Sequence, residues 1–162
     1  MTTPPPLALV TGGLHRLGAA IAATLADAGY ALALHRRSDG EADAPLAEAL
    51  ARNATDHHIL TADLAAPTGP DELFDGVVQA FGRAPALIIN NASLFEESAL
   101  ATLDRPALDA ALAVNLSAPV MLTQRLLAAG AGGAVVNILD QRVRNPVPDQ
   151  IAYSIAKQAL WQ

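Results

Sequence analysis

The residues most able to do chemistry lie near the end of the chain. Tyr153 and Lys157, in Tyr153-Ser154-Ile155-Ala156-Lys157, stand at i and i+4, which puts both on one face of a helix. A free phenol has a pKa of about 10, too high for proton transfer near neutral pH. A neighbouring ammonium favours the phenolate and lowers that value. The pair therefore reads as a proton donor and its tuning partner. Asp140 lies thirteen residues before the tyrosine, in Asn137-Ile138-Leu139-Asp140. Taken alone it reads as a loop aspartate. Tyr-x-x-x-Lys alone is common by chance, and its weight comes from what precedes it.

A second set of residues suits phosphate. Thr11-Gly12-Gly13-Leu14-His15-Arg16-Leu17-Gly18 joins an apolar run to a helical pattern. Small residues let the backbone approach a pyrophosphate, and a helix N-terminus offers free N–H groups and a favourable dipole. A plain tight turn is the alternative, but the loop heads a strand–helix–strand unit, which favours nucleotide. The next apolar run ends in His35-Arg36-Arg37-Ser38, with Asp39 beyond. Sites for NAD place an acidic residue here to accept from the ribose hydroxyl. Two arginines and a serine suit a 2′-phosphate instead, so NADPH is the expected cofactor. A solvated basic turn is the other reading, and the spacing does not separate Arg36 from Arg37. Asp63-Leu64 and Asn90-Asn91-Ala92-Ser93-Leu94-Phe95 follow two further apolar runs.

These groups all sit just past strand-like segments. Strands are expected at residues 7–10, 31–35, 57–62, 86–90 and 134–139. Leu17, Ile21, Leu25 and Ala28 recur at helical spacing, with Gly29 as a stop. Further helices are expected at 44–53, 71–81 and 105–129, and from about 149 to the last residue. Pro119 inside the long pattern marks a kink or a boundary. This alternation predicts an α/β fold: a Rossmann-like, doubly wound parallel sheet with helices on both faces. Ligands of such sheets bind beyond the carboxyl ends of the strands.

Composition narrows the rest. The 162 residues fit one domain, and 16% charged residues with 52% hydrophobic ones exclude a highly charged disordered chain. Without cysteine there is no disulfide framework, zinc knuckle or thiol nucleophile. A net charge of −6 argues against a general nucleic-acid surface. Met1-Thr2-Thr3-Pro4-Pro5-Pro6 lacks the basic start and apolar run of a signal peptide. Its prolines suggest an extended lead-in. The apolar stretches read as interrupted before membrane-spanning length, so a cytoplasmic protein without a membrane is expected. His15, His35, His57 and His58 show no ligand spacing, and no metal is expected.

Taken in order, these motifs resemble the short-chain dehydrogenase/reductase family, and most of all its pteridine reductase (dihydromonapterin reductase-like) branch, over residues 7–162. Arg16 stands where most members carry the middle glycine of the loop, and Arg37-Ser38, Ser93, Phe95 and Asp140 follow the same branch. The resemblance implies that Thr11, Gly12, Arg16, Leu17 and Gly18 meet the cofactor phosphates. Arg36, Arg37 and Ser38 would meet the 2′-phosphate. Asp63 and Leu64 would meet the adenine, although Asp63 alone reads equally as a turn residue. Asn91 and Ala92 would line a ribose, and Lys157 would hold the nicotinamide ribose. Tyr153, Lys157, Asp140 and Asn115 become the catalytic set, with Asn115 holding a water. Phe95 and the nicotinamide would sandwich a flat pterin, with Arg16, Ser93, Asp140 and Tyr153 around it.

The implied activity is NADPH-dependent reduction of a dihydropterin or dihydrofolate-like small molecule, in a homo-oligomer (dimer or tetramer). A carbonyl or 3-oxoacyl reductase of the same family is the first alternative. A catalytically inactive nucleotide-binding fragment is the second. Members of the family continue past the catalytic helix, so residues 1–162 are expected to form one NADP-binding domain that is incomplete at its C-terminus.

Overall fold

In a computed structural model, residues 3–130 and 132–162 are described. Met1 and Thr2 of the lead-in lie outside the described residues, and Pro4, Pro5 and Pro6 are exposed ahead of the first strand. Strands β1 (Leu7–Val10), β2 (Ala31–Arg36), β3 (His57–Thr61), β4 (Leu87–Asn90) and β5 (Ala134–Asn137) form one parallel sheet in the order β3-β2-β1-β4-β5. Helices are α1 (Arg16–Asp27), α2 (Ala44–Arg52), α3 (Gly69–Phe81), α4 (Arg105–Leu112), α5 (Ala118–Ala128) and α6 (Ile151–Trp161). The expected doubly wound sheet is therefore present.

β1 shows why its sequence has no polar face. Leu7 and Leu9 join one apolar cluster with Leu73, Phe74 and Leu122, while Ala8 and Val10 join the other with Ala22, Leu34 and Leu46. Helices cover both faces, so each residue of the strand is buried. The winding direction reverses between β1 and its neighbour β4, which leaves a crevice past their carboxyl ends. β5 lies at the sheet edge, where cover is thinner, and Trp161 at the end of α6 is 46% exposed.

The long helical pattern is interrupted as well as long. A π turn at Ala113–Ser117 separates α4 from α5, with the Ala118 N–H bonded to the Ala113 carbonyl. Pro119 lacks an N–H, and its ring would crowd the carbonyl of residue 115 in a regular helix. Widening the turn just before it relieves that conflict. Residues Arg105–Ala128 nonetheless make a helical run of 24 residues, long and apolar enough by length and composition to cross a membrane. That corrects the expectation that no apolar stretch reaches such a length. Here Ala118, Leu122 and Leu126 of this run pack into the core, and Arg125 pairs with Asp71 (3.0 Å) and Asp75 of α3.

His35 ties three strands together. It is 2% exposed on β2. Its Nδ1 accepts from the Gly12 N–H (3.1 Å), and its Nε2 donates to the Ala62 carbonyl (3.0 Å). This pattern requires the neutral ring, and burial pushes its pKa down, against a smaller opposing pull from the Ala62 carbonyl and Asp63. The unfolded ring titrates near 6.5, so the stabilising contribution is complete above that pH and is lost as pH falls toward the lowered folded value. Urea unfolding measured roughly one unit above and one unit below about 6.5 should show lower stability on the acid side. His35→Gln, which can still accept and donate, should flatten that difference; an unchanged difference would exclude His35 as its source.

Candidate active site

The wall of the crevice is built from β1 and β4. Thr11 Oγ1 accepts from the N–H groups of Asn91 and Ala92, both at 2.9 Å, and donates to the Ile89 carbonyl (3.3 Å). The Asn91 side-chain amide returns to the carbonyls of Thr11 (2.9 Å) and Gly12 (3.1 Å). Thr11 is itself buried, so it locks the two loops together from behind. Gly12 adopts φ 61°, which suits glycine. Gly18 lets α1 close on this turn: a Cβ there would stand 2.0 Å from the Gly12 carbonyl oxygen. Arg16 holds φ 52°, unusual for a side-chain-bearing residue. Its N–H donates to Asp43 Oδ2 (2.7 Å), and His15 Nδ1 lies 2.9 Å from Asp43 Oδ1. No local motif distinguishes Asp43, which precedes α2 and reaches this loop only through the fold.

A cleft of about 420 Å³ opens in front of these loops, bordered by Gly12, Arg16, Arg37, Asp63, Ala92 and Phe95. Leu64 and Ser93 also line it, whereas Leu17 is exposed on α1 outside its wall. A second hollow of about 240 Å³ adjoins it at Gly12 and His35, and is flanked by Arg37 and Ser38. The two arginines are separated by geometry. Arg36 is spent on Thr61 Oγ1 (3.0 Å), the Gly40 carbonyl (2.9 Å) and Asp39 (2.8 Å). Asp39 is thereby paired, while Arg37 is exposed and makes no ion pair among the described residues. Asp63 Oδ1 accepts from the Ala65 N–H (3.0 Å), a turn role, and the residue still borders the cleft.

The other sequence candidates meet at the mouth. Tyr153 on α6 donates to Asp140 Oδ2 (3.4 Å), and its ring packs edge-on against Phe95 at 4.8 Å between centroids. Lys157 is 2% exposed and donates to the Ile138 carbonyl (2.9 Å), with Nζ 5.8 Å from the Tyr153 ring centroid. Asn115 sits in the π turn, fully buried. Its Nδ2 donates to the carbonyls of Leu94 (2.8 Å) and Ala111 (3.0 Å). Its Oδ1 accepts from Ser93 Oγ (2.8 Å) and the Leu94 N–H (3.2 Å). All four positions of the amide are filled, so the side chain braces the Ser93–Leu94 segment. Arg142, which the sequence reading passed over, also reaches this cluster.

The electrostatics differ from the sequence expectation in two ways. Burial and the Asp140 carboxylate push the Tyr153 pKa above its ordinary value, opposed by Ser93 and Arg142. The expected lowering by Lys157 is absent, because that ammonium is directed at a carbonyl and burial lowers its own pKa. Asp140 moves the opposite way from a proton-delivering acid. Burial raises its pKa, but the Arg142 N–H and guanidinium outweigh it, and the net shift is downward. At neutral pH the pair is thus a phenol beside a carboxylate.

Comparison with known proteins agrees with this geometry. The family model described as short chain dehydrogenase matches residues 6–162. An oxidoreductase of Bacillus subtilis, YmfI, whose function is uncharacterised, is 31% identical over 156 residues, covering 94% of this chain and 63% of the relative. The angucycline C-6 ketoreductase LanV, solved with bound NADP, superposes with a TM-score of 0.84 at 31% identity, covering 96% of this chain and 63% of that one. FolM alternative dihydrofolate reductase 1 from Brucella canis, complexed with NADP, superposes with a TM-score of 0.86 at 33% identity, covering 96% and 64%. The chain thus spans somewhat less than two thirds of the length of these relatives. From the ordered motifs, the sheet order and this match, the chain belongs to the short-chain dehydrogenase/reductase family.

Proposed function

We propose that the protein is an NADPH-dependent reductase of a flat, pteridine-class ring. The observation that carries the substrate class is Asp140 against the Tyr153 hydroxyl, with Phe95 packed beside them. The likeness to FolM supports it.

The cleft fits a phosphorylated dinucleotide. Gly12 and Gly18 bring backbone close to the α1 N-terminus, Arg37 is uncommitted, and the carboxylate nearest the end of β2 is tied to Arg36. On this reading the N–H groups at the start of α1 hold the pyrophosphate. Arg37 and Ser38 take the 2′-phosphate, and Asp63 with Leu64 flank the adenine. Ala92 lines a ribose, and Lys157, with donors to spare beyond Ile138, holds the nicotinamide ribose. When bound, the reduced dinucleotide supplies hydride. Tyr153, kept as a neutral phenol, gives its proton to the ring nitrogen of the C=N bond whose carbon takes that hydride. One C–H and one N–H bond form, and the phenolate is reprotonated from solvent.

A ketone is the second reading, favoured by the equally good superposition on LanV. Relative turnover of a dihydropterin and an aromatic ketone with NADPH separates the two.

Two substitutions test the assignment. Tyr153→Phe should cut kcat by about a hundredfold or more while the NADPH Kd stays unchanged; full activity in that variant would sink the proton-donor role. Arg37→Ala should weaken NADPH by about tenfold or more, the worth of one charge-assisted contact, and leave NADH unaffected. Equal loss for both cofactors would place the 2′-phosphate elsewhere.

A further inference from the structure

Arg142 lies in the short 3₁₀ turn Gln141–Val143 and has no part in the roles assigned above. It nonetheless contacts Asp140, Gln150 and Phe95. Its N–H donates to Asp140 Oδ1 (2.9 Å), and one guanidinium nitrogen lies 3.0 Å from each Asp140 oxygen. Its Nε donates to Gln150, the residue just before α6. Its guanidinium carbon stands 5.1 Å from the Phe95 ring centroid. Only about a quarter of the side chain is exposed, for Arg142 (24%) and Asp140 (25%) alike, so solvent screens the pair incompletely. A guanidinium held by carboxylate, amide and aromatic ring together has little freedom to leave.

We propose that Arg142 is a positioning residue that fixes Asp140 as a carboxylate acceptor for the Tyr153 hydroxyl, leaving Tyr153 as the sole proton donor of the site. The carboxylate then has two tasks. It orients the phenol O–H, and its negative charge keeps the phenol protonated until substrate arrives. The lowered pKa of Asp140 and raised pKa of Tyr153 agree with that arrangement.

The charged and titratable groups around Asp140 come from three elements. Its own turn contributes Arg142. Helix α6 contributes Tyr153 and Lys157, which is coupled to Asp140 by charge. The loop after β4 brings uncharged Ser93 and Phe95, with Glu96 and Glu97 beside a small hollow against Tyr153. Of the cations among these, Arg142 alone is bonded to the Asp140 carboxylate, and Lys157 is turned to Ile138.

The role of Tyr153 as donor rests on the reductase reading above, so the test needs one readout that does not depend on turnover. Carbon-13 labelling of the aspartate carboxyl groups allows Asp140 to be titrated by NMR in the wild type, Arg142→Met and Arg142→Lys. Should Arg142→Met fail to fold, Arg142→Gln keeps a planar hydrogen-bonding head without the charge. Loss of the guanidinium should raise the Asp140 midpoint by about one unit or more, and Arg142→Lys should recover part of that shift. In the dihydropterin assay the acid limb of kcat/KM should move up by the same amount, with the loss confined to the acid side. An unmoved Asp140 midpoint overturns the proposal. So does a uniform loss at every pH, or a neutral variant more active than wild type near neutrality, which would mean that Asp140 works protonated. If the wild type reduces no dihydropterin, the substrate reading fails, and the carboxyl titration still decides what Arg142 does to Asp140.

Discussion

The hydroxyl of Thr11 is the joint on which the site depends. It accepts two backbone N–H groups from the β4 loop and donates one bond back into β4. With the reciprocal Asn91 bonds it closes the point where the winding of the sheet reverses. Thr11 itself is buried, and leaving a buried polar group unpaired there would cost about 1–3 kcal/mol. From this joint the glycine turn faces one way toward α1, and Ala92 to Phe95 face the other, toward Tyr153. His35 and Asp43 brace the first loop from the next two elements. Asn115 braces the second from the π turn.

Much of this was legible in the sequence because burial on two faces writes a plain pattern. Residues 7–10 and 31–34 are apolar throughout, and the candidate groups fall immediately beyond such runs. What was not legible depends on contacts between distant segments. The helix pattern from 105 onward shows Pro119 but not that the turn before it widens. That widening accompanies an Asn115 side chain tethered to Leu94, far off in sequence. His35 reads as one histidine among four, and only the fold shows it buried between two loops. Asp43 and Arg142 carry no motif at all.

The signs of the pKa shifts were also beyond the sequence. Spacing put Tyr153 and Lys157 on one helix face, and correctly so, yet a shared face does not say which group each charge reaches. The ammonium turned to Ile138, and the carboxylate turned to the phenol. Burial, and then the Asp140 charge, raise the tyrosine where an isolated Tyr–Lys pair would lower it. A phenol that stays protonated suits an acid in the reductive direction.

A phosphorylated nicotinamide dinucleotide is proposed to lie along the carboxyl ends of β1, β2 and β4. Amide proton–nitrogen spectra recorded while NADPH is added test it most directly. Saturable shifts are expected at Gly12, Arg37, Asp63 and Ala92, with the far ends of the strands unmoved. No saturable shift, or shifts confined to the α5–α6 side, would contradict it.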